Sequence, residues 1–382
     1  MDAIVTQIRD LAQSADEATR LDIRKALRKV QLDLQGPKEV LMDLANSTLL
    51  GPVIRIGIGL RLFREIATAQ KPLTVVQLAD ITGASAGLLG NYEFRRYIRE
   101  WRGNDIPQVS DFPSAYLWNP FQHLIISFDF HALHIRVLPE YFKETNYQDI
   151  TTTKYTPFHK AFNTDLNSFD WLVQHPEHFV PFQKMMTSLE GSEWTEGFEL
   201  FDSEAKQIPS TPAEPSDKTF LVDVGGGNGH QSIQLGRKYP NLLGRLVLQD
   251  LPAVVGPLSP IEGVKIEAYS FFEKQPIVGA KFYYLRCIMH DWPDEDATKI
   301  LRNIAVAMTS HSRILIDDAV LPDTDAAWQV TMADLALMSS CGGVERTKRR
   351  WESLADAAGL KIEQIHSYVA STYTSVVVLA LK

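Results

Sequence analysis

The sequence predicts an α/β protein: a Rossmann-like parallel sheet covered by helices on both faces, preceded by an α-helical region of winged-helix-like spacing. Two observations carry this. From residue 219 onward, short apolar strands alternate with helical stretches, and the first strand runs directly into the glycine-rich turn at 225–229, a pattern that winds a parallel sheet. From residue 1 to about 70, apolar residues instead recur at three and four positions with few turn signals, which is the period of helices.

Composition narrows the classes. With 382 residues the chain exceeds one ordinary core, and roughly 150 residues per domain suggests two to three. Apolar residues make up 45% and charged ones 22%, the balance of a globular protein. A net charge of −9 repels phosphate backbones and anionic headgroups, which argues against nucleic acid and membrane surfaces as partners. The first twenty residues carry acids throughout and lack a signal-peptide apolar run; a cytoplasmic location is expected. Two cysteines, Cys287 and Cys341, cannot build a disulfide framework or a four-cysteine zinc site. With ten scattered histidines and no His-Glu-x-x-His, no metal is predicted.

In the helical region, Ile4, Ile8 and Leu11 mark one stripe, and Leu41, Leu44, Leu49 and Leu50 a later one. Thr74 is placed to cap a helix carrying Val75, Val76, Leu78 and Ala79, and a glycine turn separates it from Leu88 and Leu89. That is helix-turn-helix spacing, which serves either a DNA reader or a structural unit pairing with its copy in a dimer. The basic cluster Arg95, Arg96, Arg99 and Arg102 is interspersed with Glu93 and Glu100, so charge favours the dimer. Residues 103 to 125 are rich in proline and turn formers and should be irregular. Helical spacing resumes at about Leu133 and runs through Trp171 and Phe182 to Trp194. Gln207 to Lys218 holds three prolines and no apolar run, an interdomain linker by composition. The expected division is 1–150 helical and dimer-forming, 151–206 a helical connector, and 207–382 the sheet domain.

Strands are expected at 219–224, 245–250, 265–271, 281–288 and 313–321. Helices should start near Gly229 and span Pro293 to Met308, and a final strand, 371–381, should lie antiparallel to its predecessor. The run Gly225-Gly226-Gly227-Asn228-Gly229 after Asp223 is a ligand site for physical reasons: glycines admit close backbone approach, and the following helix presents free N–H groups. Its spacing is Gly-x-Gly-x-Gly, with His230 where a dinucleotide fingerprint needs its third glycine, so a dinucleotide is disfavoured. Asp250 ends the next strand, near the spacing at which a carboxylate meets ribose hydroxyls; its alternative is a helix cap before Leu251. His290 stands at the C-terminal end of an apolar strand, where ligands meet doubly wound sheets. Two acids are available to orient it, Asp318 and Glu345, although Asp318 suits a turn cap and Glu345 a pair with Arg346.

The segments LVDVGGGNG, LQDLP, YYLRCIMHDW, DDAVLP and GGVERT, in this order, resemble the motifs of the plant and fungal S-adenosylmethionine-dependent O-methyltransferases of the caffeate and flavonoid type, nearest the fungal secondary-metabolite members. The likeness covers about 150 to 382 well, and the N-terminal region is similar to that family's dimerisation domain, with poor agreement from Asn91 to Phe128. The resemblance implies that S-adenosylmethionine lies on Gly225, Gly226 and Gly227, its ribose on Asp250, its adenine near Ser270 and Phe271, with Arg286 as a basic contact. It also implies a small hydroxylated acceptor, a homodimer, His290 as general base, and Asp318 and Glu345 as the acids holding that base. Phe182, Met185 and Met186 lie in a helix that lines the family's acceptor pocket; by spacing they serve a core equally well. The family usually carries an acid where Ser270 stands. Proteins that resemble this family also include pericyclases acting on polyketide-derived intermediates, which makes a non-methylating enzyme the alternative.

Overall fold

The computed structural model describes residues 2–69, 73–89, 125–188, 193–209, 219–324 and 326–382. The arginines at 95–102, the segment 103–124 and most of the 207–218 linker lie outside the described residues. The chain forms two compact units: Met1–Thr19 with Val137–Ser168 and Glu190–Lys382, and Arg20–Arg136 with Phe169–Leu189.

The first unit is built on one sheet. Its strands are β1 (Leu221–Val224), β2 (Leu246–Asp250), β3 (Val264–Ala268), β4 (Phe282–Arg286), β5 (Arg313–Leu321), β6 (Arg346–Thr347), β7 (Leu360–Val369) and β8 (Thr374–Leu381). The order is β3-β2-β1-β4-β5-β8-β7, with β6 beside β5. The first five are parallel to their neighbours, whereas β8 runs antiparallel to both β5 and β7. The expected antiparallel end is therefore present, with β8 also filling the slot beside β5.

Strand side chains alternate faces, and on β1, β2, β4, β5 and β8 both faces are covered, which is why these strands read as near-continuous apolar runs while the edge strands β3 and β7 do not. Val222, Val224, Tyr283, Leu285, Ile314, Ile316, Val377 and Leu379 enter one core, with Ala297, Ile300 and Ile304 from the helix Asp294–Ala305 and Trp351 and Leu354 from Lys348–Ala357. Their neighbours Leu221, Phe282, Tyr284, Leu315, Val376 and Val378 enter the opposite core, with Phe201 from the helix Glu199–Gln207 and Leu235 from His230–Lys238.

Two strands are shorter than expected. Parallel pairing of β3 stops at Ala268, which leaves Ser270 and Phe271 in the turn beyond it, and β4 stops at Arg286, which releases Cys287 and Ile288. Both truncations turn residues at the ligand edge out of the ladder. Sheet order reverses between β1 and β4, the place where doubly wound sheets open a crevice beyond their carboxyl ends.

In the second unit, Leu62, Ile66, Leu78 and Leu89 form a core across the helices Leu62–Thr68, Val75–Thr82 and Ala86–Leu89. Thr74 caps as expected: its hydroxyl accepts the Gln77 N–H at 3.2 Å, and Gln77 Oε1 accepts the Thr74 N–H at 2.9 Å. Helical backbone begins earlier than Leu133, with a π-helical turn at Ser127–His131 where Phe130 is buried. Thr74→Ala removes the cap and is expected to destabilise the helical unit by about 1 kcal/mol. Chemical denaturation checks this; an unchanged midpoint would show that the cap adds nothing.

Candidate active site

The loop after β1 takes backbone conformations open mainly to glycine. Gly225 has φ +73, and a Cβ there would lie 2.8 Å from Ile288 Cδ1; a Cβ on Gly226 would lie 2.5 Å from both Asp223 Cγ and Leu248 Cδ1. Asp223 is buried beneath the loop, where its carboxylate accepts the Ser232 hydroxyl at 2.8 Å; burial pushes its pKa up to about 6. Phe271 borders the same loop, 3.6 Å from the Cβ position of Gly225, and Ser270 adjoins it, its hydroxyl turned to the Phe272 N–H.

Asp250 is not a helix cap. Its Oδ2 accepts the Gly227 N–H at 2.8 Å and its Oδ1 the Leu251 N–H at 2.7 Å, and the next helix is capped by Leu251. Each oxygen keeps acceptor capacity, two acceptors side by side at the rim of the glycine loop, which suits a vicinal diol. Arg286, at the end of β4, lies 3.5 Å from Asp317 Oδ2. Asp317 in turn accepts Tyr284 Oη at 2.6 Å and Tyr368 Oη at 2.7 Å. Burial and the Arg286 charge both hold the His230 imidazole below its ordinary pKa, so the guanidinium's field reaches the start of the helix behind the loop.

His290 follows β4 in a short 3₁₀ turn, Met289–Asp291. Its Nδ1 is 2.9 Å from Glu345 Oε1 and 3.9 Å from Asp318 Oδ1, its backbone N–H donates to Asp318 Oδ2 at 3.2 Å, and Nε2 is 3.7 Å from Asp291 Oδ1. Burial works against the imidazolium, but Asp318, Glu345 and Asp291 together outweigh it, so the pKa stands well above the ordinary value. Burial and the neighbouring acids push Asp318 up to about 7.

Glu345 does not pair with Arg346. That guanidinium, fully buried, bonds Asp294 Oδ1 through Nε at 2.9 Å and donates to the carbonyls of Met289 and Trp292, each at 2.7 Å. It thereby clasps the turn carrying His290 from both ends. Val344 N–H donates to the His290 carbonyl at 2.8 Å, and Glu345 N–H to Asp334 Oδ1 at 2.8 Å.

The structure thus brings His290, Asp318 and Glu345 together, and groups Gly225, Gly226, Gly227, Asp250 and Phe271 around one loop. Phe182, Met185 and Met186 are half-buried on the helix Pro176–Ser188, in the helical unit. Asp223, His230, Asp291 and Arg346 escaped the sequence analysis as site residues. Asp291 and Arg346 directly adjoin predicted residues, and that adjacency was the available signal.

A sheet reversing at β1/β4, a glycine loop, an acid ending β2, and a histidine among carboxylates after β4 place a nucleoside-type cradle beside an acid–base centre on a Rossmann-like sheet. The O-methyltransferase domain profile matches residues 212–361. Demethylsterigmatocystin 6-O-methyltransferase of Aspergillus flavus is 35% identical over 100% of this chain and 98% of its own. O-methyltransferase lepI of the same organism is 37% identical over 100% and 99%. Among solved structures, LepI in complex with S-adenosylmethionine superposes with a TM-score of 0.86 at 35% identity, covering 100% of this chain and 98% of that one. The chain belongs to the O-methyltransferase family of these fungal secondary-metabolite enzymes.

Gly343 touches the site most tightly: a Cβ there would lie 2.3 Å from the His290 carbonyl oxygen. Gly343→Ala must push the two loops apart, and displacement near 1 Å is expected to lower turnover about a hundredfold. Affinity for S-adenosylhomocysteine, measured by calorimetry, should be retained.

Proposed function

We propose that this enzyme methylates a phenolic or enolic hydroxyl of a small secondary metabolite, with His290 as general base. The observation that carries the reading is the 2.9 Å contact between His290 Nδ1 and Glu345 Oε1. An Nδ1–H donated to that carboxylate leaves the Nε2 lone pair to take the acceptor proton. S-adenosylmethionine supplies the methyl group as an activated sulfonium. The glycine loop, Asp250 and Phe271 are assigned to its nucleoside and Arg286 to a cofactor contact. Ser270, lacking a carboxylate, offers the adenine amino group a weaker partner. Phe182, Met185 and Met186 are assigned to the acceptor.

Positioning is expected to contribute roughly 7 to 11 kcal/mol of barrier reduction and the base roughly 10² to 10⁴-fold. A phenol near pKa 10 against an ordinary imidazole near 6.5 leaves a mismatch of about 5 kcal/mol. The carboxylates around His290 narrow it by raising the imidazole. The division 1–150, 151–206 and 207–382, a winged-helix-like pairing of two copies into a homodimer, and a cytoplasmic location complete the proposal. Among the described residues no helix is long and apolar enough to cross a membrane.

A second reading is a pericyclic enzyme on the same cofactor pocket, favoured by a solved relative described as a pericyclic reaction enzyme (35% identity, TM-score 0.86, 100% of this chain). Incubation with isotopically labelled S-adenosylmethionine and a panel of phenols and enols separates the two. Labelled product is expected; cofactor binding with acceptor conversion but no label would overturn methyl transfer.

Three variants test the roles. His290→Ala is expected to lower kcat about a hundredfold or more while S-adenosylhomocysteine still binds. Asp250→Ala should instead weaken S-adenosylhomocysteine by about tenfold or more, read by calorimetry. Because the base works deprotonated and its pKa is raised, kcat/KM should climb with pH on the alkaline side of the ordinary histidine range. Glu345→Gln removes one raising charge and should move that inflection to lower pH. An unmoved inflection would count against His290 as the titrating group.

A further inference from the structure

We propose that Cys287, His290 and Asp318 form a binding site for a borderline-soft divalent cation, zinc, whose occupation silences the enzyme. The thiol, one ring nitrogen and one carboxylate oxygen all lie within 4.8 Å of one another. Tetrahedral zinc, with Zn–N near 2.0 Å and Zn–S near 2.3 Å, holds its ligands roughly 3.5 Å apart, so inward shifts of about 1 Å complete the set.

One buried, unsatisfied group points to a ligand. Asp318 is 2% exposed, yet its Oδ1 has no hydrogen-bond partner among the described residues, and that oxygen is the one 3.9 Å from His290 Nδ1. A buried carboxylate oxygen left unbonded is costly unless a proton or cation joins it. Cys287 adopts φ +51, the left-handed region unusual for a side-chain-bearing residue, and its N–H is tied to the Asp317 carbonyl at 3.1 Å. That held turn places the thiol beside His290 and Asp318 instead of continuing β4. Glu345 Oε1, 2.9 Å from Nδ1, is within reach as a fourth donor.

The donor set selects the metal: one thiolate, one imidazole and one carboxylate suit zinc, whereas magnesium and calcium require oxygen. Zinc binding displaces the Cys287 thiol proton to solvent. On neutral His290, zinc takes the Nδ1 lone pair and the ring proton moves to Nε2. Nε2 is then an N–H and cannot accept the acceptor's proton. The inhibition rests on His290 being the base; the site itself does not.

The test uses the purified full chain, cobalt(II) as a spectroscopic stand-in, and zinc by calorimetry and turnover. One equivalent of cobalt should give a thiolate-to-metal charge-transfer band, and zinc should inhibit reversibly, with recovery on chelation. Cys287→Ser should abolish the band and weaken zinc by at least roughly tenfold. Cys341→Ser should keep the band, since that thiol is already turned to the Leu337 carbonyl. A band absent from the parent, or surviving in Cys287→Ser, overturns the site. A band that follows Cys287 while zinc-loaded enzyme turns over normally keeps the site and overturns His290 as the base.

Discussion

The site depends on a buried cation that does no chemistry. Arg346 is wholly enclosed, so its donors must be satisfied by the protein, and the available acceptors are Asp294 and the carbonyls of Met289 and Trp292. Those carbonyls bracket His290. Meeting the arginine's hydrogen-bonding needs therefore fixes the backbone that carries the histidine, and the residue before the arginine, Glu345, arrives at Nδ1 as a consequence. The Trp351 ring, 5.2 Å from the guanidinium, covers what the carbonyls leave.

Around this clasp, the sheet supplies the two halves of the site from opposite sides of its reversal. β1 ends in the glycine loop and β2 in Asp250, which latches that loop through the Gly227 N–H; β4 ends in Arg286, and Asp317 and Asp318 stand in the middle of β5, where its pairing with β4 stops. Period-two alternation explains the division of labour on β5: successive residues Asp317 and Asp318 face opposite ways, one toward Arg286 and the tyrosines, the other toward His290. Two successive residues of β5 thus serve the arginine on one side and the histidine on the other.

Much of this was legible. Apolar runs bounded by turn residues marked β1, β2, β4 and β5, because doubly covered strands have no polar face to confuse the pattern, whereas the edge strand β3 alternates apolar and charged residues. Thr74 and the glycine loop announced themselves by local backbone requirements. What escaped was determined by tertiary contact. Ser270 and Phe271 read as strand because Tyr269 and Phe271 favour sheet, but pairing stops at Ala268. Arg346 looked like a surface partner for its neighbour Glu345, since adjacency is visible in sequence and burial is not. Asp291 joins the histidine cluster only through the 3₁₀ turn, and Asp250's latch on Gly227 needs two strands side by side.

The position of β8 bears on how the chain acquires its function. Asp317 and Asp318 sit on β5 opposite Val376 and Ser375, and among the described residues β5 has no other partner on that edge over these positions. During synthesis the edge therefore stays open until residues 374–381 have emerged, more than fifty positions later. An open, apolar strand edge is the feature most prone to pairing with another chain. Catalytic competence and protection from aggregation thus arrive together, in the single event that seats one strand.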